Sequence, residues 1–113
     1  MDFGNLIHKG IMDDNRWIKM PLNKQIGNIG AEVSRLFYWK KQGNTKNADD
    51  ALDRALELID LTVFGLQQEH KTTAMREILR FREVLCDSAG DYGIYNIKGE
   101  KLVDYCTQFV LIN

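Results

Sequence analysis

Four stretches of this chain bring an apolar side chain back every three or four positions, and that period commits the backbone to helices rather than strands. In the first stretch Leu22, Ile26, Ile29, Val33, Leu36 and Phe37 fall on one stripe. Pro21 stands at its start, where a first helical turn needs no amide donor, and Gly43-Asn44 closes it, which predicts a helix over 21–42. The second stretch, Ala48, Ala51, Leu52, Ala55, Ile59, Thr62 and Val63, carries Asp49, Asp50 and Asp53 in its early turns, where the helix dipole favours acids. It predicts a helix over 46–64 with Gly65 as the stop. The third runs over 72–89 through Met75, Ile78, Leu79, Leu85, Cys86 and Ala89, with Thr72 or Thr73 to cap it and Gly90 to end it. After a loop at 90–96 containing Gly and Tyr, Leu102, Val103, Cys106, Phe109 and Val110 predict a shorter fourth helix. No β-hairpin signal interrupts the series.

Short connections make the first three helices antiparallel neighbours, and the fourth closes the core. The expected fold is therefore all-α, an antiparallel up-down four-helix bundle over 21–113 with an N-terminal arm at 1–20. The arm shows no sustained period, yet Ile7, Ile11, Trp17 and Ile18 are too apolar for a solvated tail and predict packing. With 113 residues there is room for one domain with a real core, and 44% apolar against 27% charged residues suits an ordinary globular chain.

A net charge of -1 supplies no field to gather a phosphate backbone or an anionic membrane, which disfavours general nucleic-acid binding. The N-terminal residues lack a basic start followed by an apolar run, and no run of about 18 apolar residues occurs. The expectation is a cytoplasmic protein with no membrane partner, in which Cys86 and Cys106 are buried thiols on core faces.

Helical projection puts Arg82 in the middle of the third helix's apolar face, between Ile78, Leu79, Leu85 and Cys86. A buried guanidinium needs an acidic partner or a route to water. Counting levels from the short loops brings Glu32 and Arg54 to its height and predicts a Glu32–Arg82 contact. Its ordinary role is an interior ion pair that fixes helix register; the functional alternatives are a polar pocket for a ligand or for RNA cleavage, and an oligomer contact. The stripe of Asp49, Asp53, Glu57 and Asp60 lacks the inward Glu-x-x-His pairs of carboxylate-bridged metal bundles, so it reads as a solvated face facing Arg76 and Arg80. No metal or cofactor is expected.

Gly27, Gly30, Ala31 and Ser34 form a small-residue patch displaced from the first helix's apolar stripe, with Tyr38 further along. Glycine inside a helix costs up to about 1 kcal/mol relative to alanine, so its repeated use points to close approach of another backbone. That backbone belongs either to the chain itself, through the arm or the fourth helix, or to a second subunit. Trp17 and Ile18 join this patch as interface candidates. Trp39, Lys40, Lys41 and Lys46 make the one basic-aromatic cluster, suited to stacking nucleic-acid bases or simply to a helix end with lysines at its negative pole. His8 and His70 are not placed beside either cysteine by spacing, and there is no Cys-x-x-Cys, Gly-rich phosphate loop or Gly-x-Ser-x-Gly elbow. Nothing here calls for an enzyme.

Three stretches carry a resemblance: Gly27 to Arg35, Arg54 to Thr62 and Arg82 to Asp87, with the tail from Tyr105 to Phe109. They resemble segments of short, uncharacterised bacterial four-helix-bundle proteins over about 25–110. The resemblance implies a helical fold and a bacterial cytoplasm, and no mechanism. A looser similarity is to the helical bundles that include HEPN-type ribonucleases, whose catalytic Arg is followed four to six residues later by His. Neither Arg80 nor Arg82 has a histidine at that distance, and Asp87 holds the nearest polar position, so the similarity implies lost catalysis.

The leading expectation is a non-enzymatic module that self-associates as a homo-oligomer or docks another protein through the first helix and the arm. The alternatives are an accessory nucleic-acid-binding protein using the lysine cluster and a HEPN-like relative with altered or lost catalysis.

Overall fold

The computed structural model describes residues 14–112 and, of their side chains, those of 16–109. It is all-helical, with five helices and no strand among the described residues. They are α1 (Asp14–Lys19), α2 (Leu22–Lys41), α3 (Thr45–Gln68), α4 (Thr72–Ala89) and α5 (Gly99–Ile112). The four periodic stretches are α2 to α5. Ile7, His8 and Ile11 lie outside the described residues.

The ends of α2 follow from local chemistry. Pro21, at φ −56° and ψ 144°, is the cap rather than the first helical residue, and its carbonyl accepts from Lys24 and Gln25 amides at 3.0 and 3.1 Å. At the other end Gly43 adopts φ +75°, a left-handed conformation that glycine enters without a Cβ clash. Asn44 then caps α3, its side-chain oxygen accepting from the Asn47 amide at 3.0 Å.

Two expected boundaries are corrected. Gly65 does not stop α3, which runs on to Gln68; instead Gly65 is buried beneath Ile18, whose Cγ2 would stand 3.6 Å from a Cβ at that position. Its small size makes room for α1, and helical hydrogen bonding continues past it. Neither Thr72 nor Thr73 caps α4: the cap position is Lys71 and no side chain bonds there.

The α2 helix packs on α3 on one side and α5 on the other, while α3 also carries α4 and α1. Small residues Ala48, Ala51 and Ala55 line the buried face of α3, opposite the Ile26, Ile29, Val33 and Leu36 stripe of α2. The α4–α5 contact is slighter than the α2–α3, α2–α5 and α3–α4 contacts. A Cα radius of gyration of 13.6 Å agrees with the ~13 Å of a compact domain of about 100 residues. No helix among the described residues is long and apolar enough to cross a membrane.

Residues 14–19 belong to this core. Trp17 is 1% exposed, donates from Nε1 to Thr62 Oγ1 at 3.0 Å, and accepts on its carbonyl from the buried Gln25 Nε2 at 2.6 Å. Thr62 Oγ1 passes the bond on to the Leu58 carbonyl at 2.9 Å. The indole is thus enclosed with its polar atom satisfied, which ties α1 to both α2 and α3.

Candidate functional site

The small-residue face of α2 is largely occupied by the chain itself. Gly30 is buried against α5, and a Cβ built there would lie 2.7 Å from Cys106 Cβ, closer than real Cβ contacts allow. Gly27 is half-buried, whereas Ala31 and Ser34 are exposed and share a shallow cleft of about 350 Å³ with Val103, Cys106 and Thr107. Trp17, expected at an interface, is a core residue, and Ile18 is half-buried over Gly65. Tyr38 alone among these candidates presents a large exposed surface, at 55%, with its ring edge-on to Trp39 at 5.0 Å.

The expected Glu32–Arg82 contact is replaced by two separate pairings. Glu32 accepts from Arg54 Nε at 3.0 Å through one oxygen and from Arg35 at 2.7 Å through the other. Arg82 Nε instead donates to Asp60 at 3.0 Å, with both side chains near 40% exposed. The reason lies in the phase of α4. Its buried residues are Ile78, Phe81, Val84 and Leu85, while Leu79 is exposed, so the packed face is turned about a quarter turn from the one centred on Arg82. Arg82 therefore flanks the core and reaches across to α3 with water at hand. Asp60 is drawn out of the supposedly solvated stripe by the same rotation.

The basic-aromatic cluster is partly neutralised. Lys40 pairs with Asp91, Lys46 pairs with Asp50 at 3.3 Å, and Trp39 packs half-buried against the core, while Lys41 and Lys46 both stand exposed. Cys86 and Cys106 are both free thiols; Cys106 is buried, and that burial pushes its thiol up to about 12, but Cys86 is only half-buried.

A second apolar concavity lies between α4 and α5. Phe81, Val84 and Leu102 form its floor, each under 9% exposed, and Tyr105 stacks on Phe81 at 5.3 Å with the rings 23° apart. Ile97, Glu77, Arg80 and Lys101 complete the lining of this groove of about 360 Å³. The Tyr105 hydroxyl donates to Glu77, and burial, together with this bond, raises the tyrosine well above its ordinary value. Arg80 lies over the Tyr95 ring, 5.4 Å from its centroid, and the Tyr95 hydroxyl donates to Glu83 at 3.0 Å, which raises its titration in turn.

Asp87 builds the loop beside this groove. Its carboxylate, on a residue 5% exposed, accepts the Ile94 amide at 2.9 Å and the Tyr95 amide at 3.0 Å, and its carbonyl accepts the Tyr92 amide at 3.1 Å. Asp91, Gly93 and Asn96 take positive φ, which turns the chain within a few residues. So organised, the loop holds Tyr92 and Ile94 out at 74% and 75% exposure.

Sequence reasoning missed the groove because every residue of its floor also qualifies as core. The one available signal was the apolar content of the loop, with Tyr92, Ile94, Tyr95 and Ile97 crowded into a segment that elsewhere has turn composition. Chemically the site offers an apolar floor, aromatic edges and charges of both signs at the rim. Among the described residues no group of three His, Cys, Asp or Glu side chains is placed to hold a metal ion. Comparison with known protein families, with curated proteins and with solved structures returns no match.

Proposed function

We propose that this chain is a non-enzymatic protein-interaction module built as an antiparallel four-helix bundle, and that it receives its partner in the α4–α5 groove. The single observation that carries the reading is the apolar concavity lined by Phe81, Val84, Leu102 and Tyr105, with the exposed Ile97 among its lining residues. Such a surface resembles the buried centre of an interface before its partner arrives, with aromatic anchors inside a polar rim. The face of α2 favoured by the sequence is less suited, because α5 already covers Gly30 and the core encloses Trp17.

The test compares wild-type protein with Ile94→Asp/Ile97→Asp, which alters exposed side chains only. Proteins retained by the wild type are identified, purified and titrated by calorimetry against both forms. The expected result is binding that weakens at least tenfold in the variant while circular dichroism and the melting temperature are unchanged. Equal binding by both forms, with loss instead in Tyr38→Asp, would move the working surface back to α2 and end this assignment of the groove. Light scattering over a range of concentrations reads in the same samples whether the partner is a second copy.

A further inference from the structure

Beyond the groove, and independently of it, we infer that the α2–α5 face is a contact between two copies of this chain, related by a two-fold axis parallel to both helices. Gly30 on this face is covered by α5, but Ala31, Ser34 and Tyr38 of α2 and Thr107 of α5 stand exposed along its outer edge. The shallow cleft lined by Ser34 and Val103 continues into another of about 490 Å³, which these two residues share with Tyr38, Lys41, Glu100 and Asp104. Its charges are sorted by wall: Lys41 belongs to α2, Glu100 and Asp104 to α5. All three residues are exposed, and none of them forms an ion pair among the described residues. The helix dipole accounts for Lys41 in the last turn of α2 and for Glu100 in the first turn of α5. Asp104 lies beyond that first turn, where the dipole gives no such reason.

A cation on one helix and acids on its neighbour make this face complementary to itself. A two-fold axis parallel to α2 and α5 lays the α2 of each copy over the α5 of the other at unchanged height. Lys41, Glu100 and Asp104 line one cleft and so share that height, which brings Lys41 of each copy over Glu100 and Asp104 of the other. Tyr38, at 55% exposure in the same cleft, adds an aromatic surface of the kind that interfaces favour. A nucleic acid or an anionic membrane presents one sign of charge and is repelled by Glu100 and Asp104. The 14 residues of α5 set a shared length of about 21 Å, and two adjacent helices are about 20 Å wide, a footprint of roughly 400 Å² per copy. The total of roughly 800 Å² falls below the ~1,200 Å² of a stable interface, so the dimer is weak and reversible.

The experiment is sedimentation equilibrium of the full chain from about 10 μM to about 1 mM, the range of a weak complex, at about 20 mM and about 500 mM salt. Wild type is compared with Lys41→Glu, which leaves only acids in the cleft, and with Glu100→Lys/Asp104→Lys, which leaves only cations. Circular dichroism checks that these exposed changes keep the fold. We expect a wild-type dimer that weakens with salt, and at least a tenfold loss of self-association in each variant alone, the scale of the ion pairs reversed. Mixing the two variants one to one must restore a dimer, because each then meets the opposite charge on both walls; damage to either fold cannot produce that rescue. Ile94→Asp/Ile97→Asp should dimerise as the wild type does. A wild type that stays monomeric at the highest concentration and low salt overturns the inference, as does a dimer indifferent to the charge variants or a mixture that stays monomeric. A dimer lost instead in Ile94→Asp/Ile97→Asp places the second copy in the α4–α5 groove, which ends this inference and leaves the groove reading standing.

Discussion

Replacing Gly30 by alanine tests the closeness of α2 and α5 directly. A buried helical glycine changed to alanine with room to spare gains about 0.8–1 kcal/mol of helix propensity. At Gly30 the added Cβ would stand 2.7 Å from Cys106 Cβ, an atom fixed to the α5 backbone that no rotamer change can move. Ordinary contact needs several tenths of an ångström more, so α5 must shift as a body, and overpacking of this kind costs about 1–3 kcal/mol. The net effect at Gly30 is a loss of about 0–2 kcal/mol. Gly65 supplies the control inside the same molecule: its Cβ would meet Ile18 Cγ2 at 3.6 Å, an ordinary contact, so Gly65→Ala should stabilise by roughly 0.5–1 kcal/mol. The assay is urea unfolding followed by far-ultraviolet circular dichroism for both variants. At about 4–8 °C per kcal/mol for a domain of this size, their opposite signs also separate in a thermal melt. Adding Cys106→Gly to Gly30→Ala should recover at least about 1 kcal/mol as a coupling energy, because the colliding atom is gone. If Gly30→Ala stabilises as much as Gly65→Ala, the close crossing is refuted.

Trp17→Ala should lose about 3–5 kcal/mol by cavity formation, and Trp17→Phe about 1–2 kcal/mol by breaking the Thr62 bond, both read from urea midpoints; a near-neutral Trp17→Ala would remove α1 from the core. The half-exposed Arg82–Asp60 pair should contribute at most about 1 kcal/mol in a double-mutant cycle, against the 3–5 kcal/mol loss that breaking a buried pair brings, so a large value would return Arg82 to the interior. Burial of the Cys106 thiol makes stability pH-dependent with a definite sign. Between its ordinary 9.0 and the folded value of about 12, the unfolded chain sheds the proton and the folded chain keeps it, so stability should fall with rising pH over that window. The slope approaches about 1.4 kcal/mol per pH unit for this one group, and Tyr95 and Tyr105, also raised, act with the same sign at higher pH. Urea titrations from pH 8 upward on wild type and Cys106→Ala should differ by that slope; identical slopes would show that the thiol titrates normally when folded.

The amino-acid sequence by itself determined the helical architecture of 22–112 and most of its punctuation. The three-and-four spacing of Leu22 to Phe37 and of Ala48 to Val63 has only one regular conformation that buries it, and Gly43 and Gly90 stand at ends that the structure keeps. Local chemistry suffices there because a helix's hydrogen bonds close within its own segment. Where two packings satisfy the same local pattern, tertiary structure decided. On α4 both Leu79 with Cys86 and Phe81 with Val84 make an apolar stripe beside Ile78 and Leu85, and only the positions of α3 and α5 select the second. That choice moved Arg82 from the centre of a core to its flank and gave it Asp60 instead of Glu32. Gly65 reads as a stop in sequence and serves as a saddle for Ile18, because what lies over a glycine is not encoded near it. The α4–α5 groove belongs to the same class: Phe81, Leu102 and Tyr105 are apolar in any reading, and that they line one concavity follows from how α4 and α5 are brought together, a property of the assembled body alone.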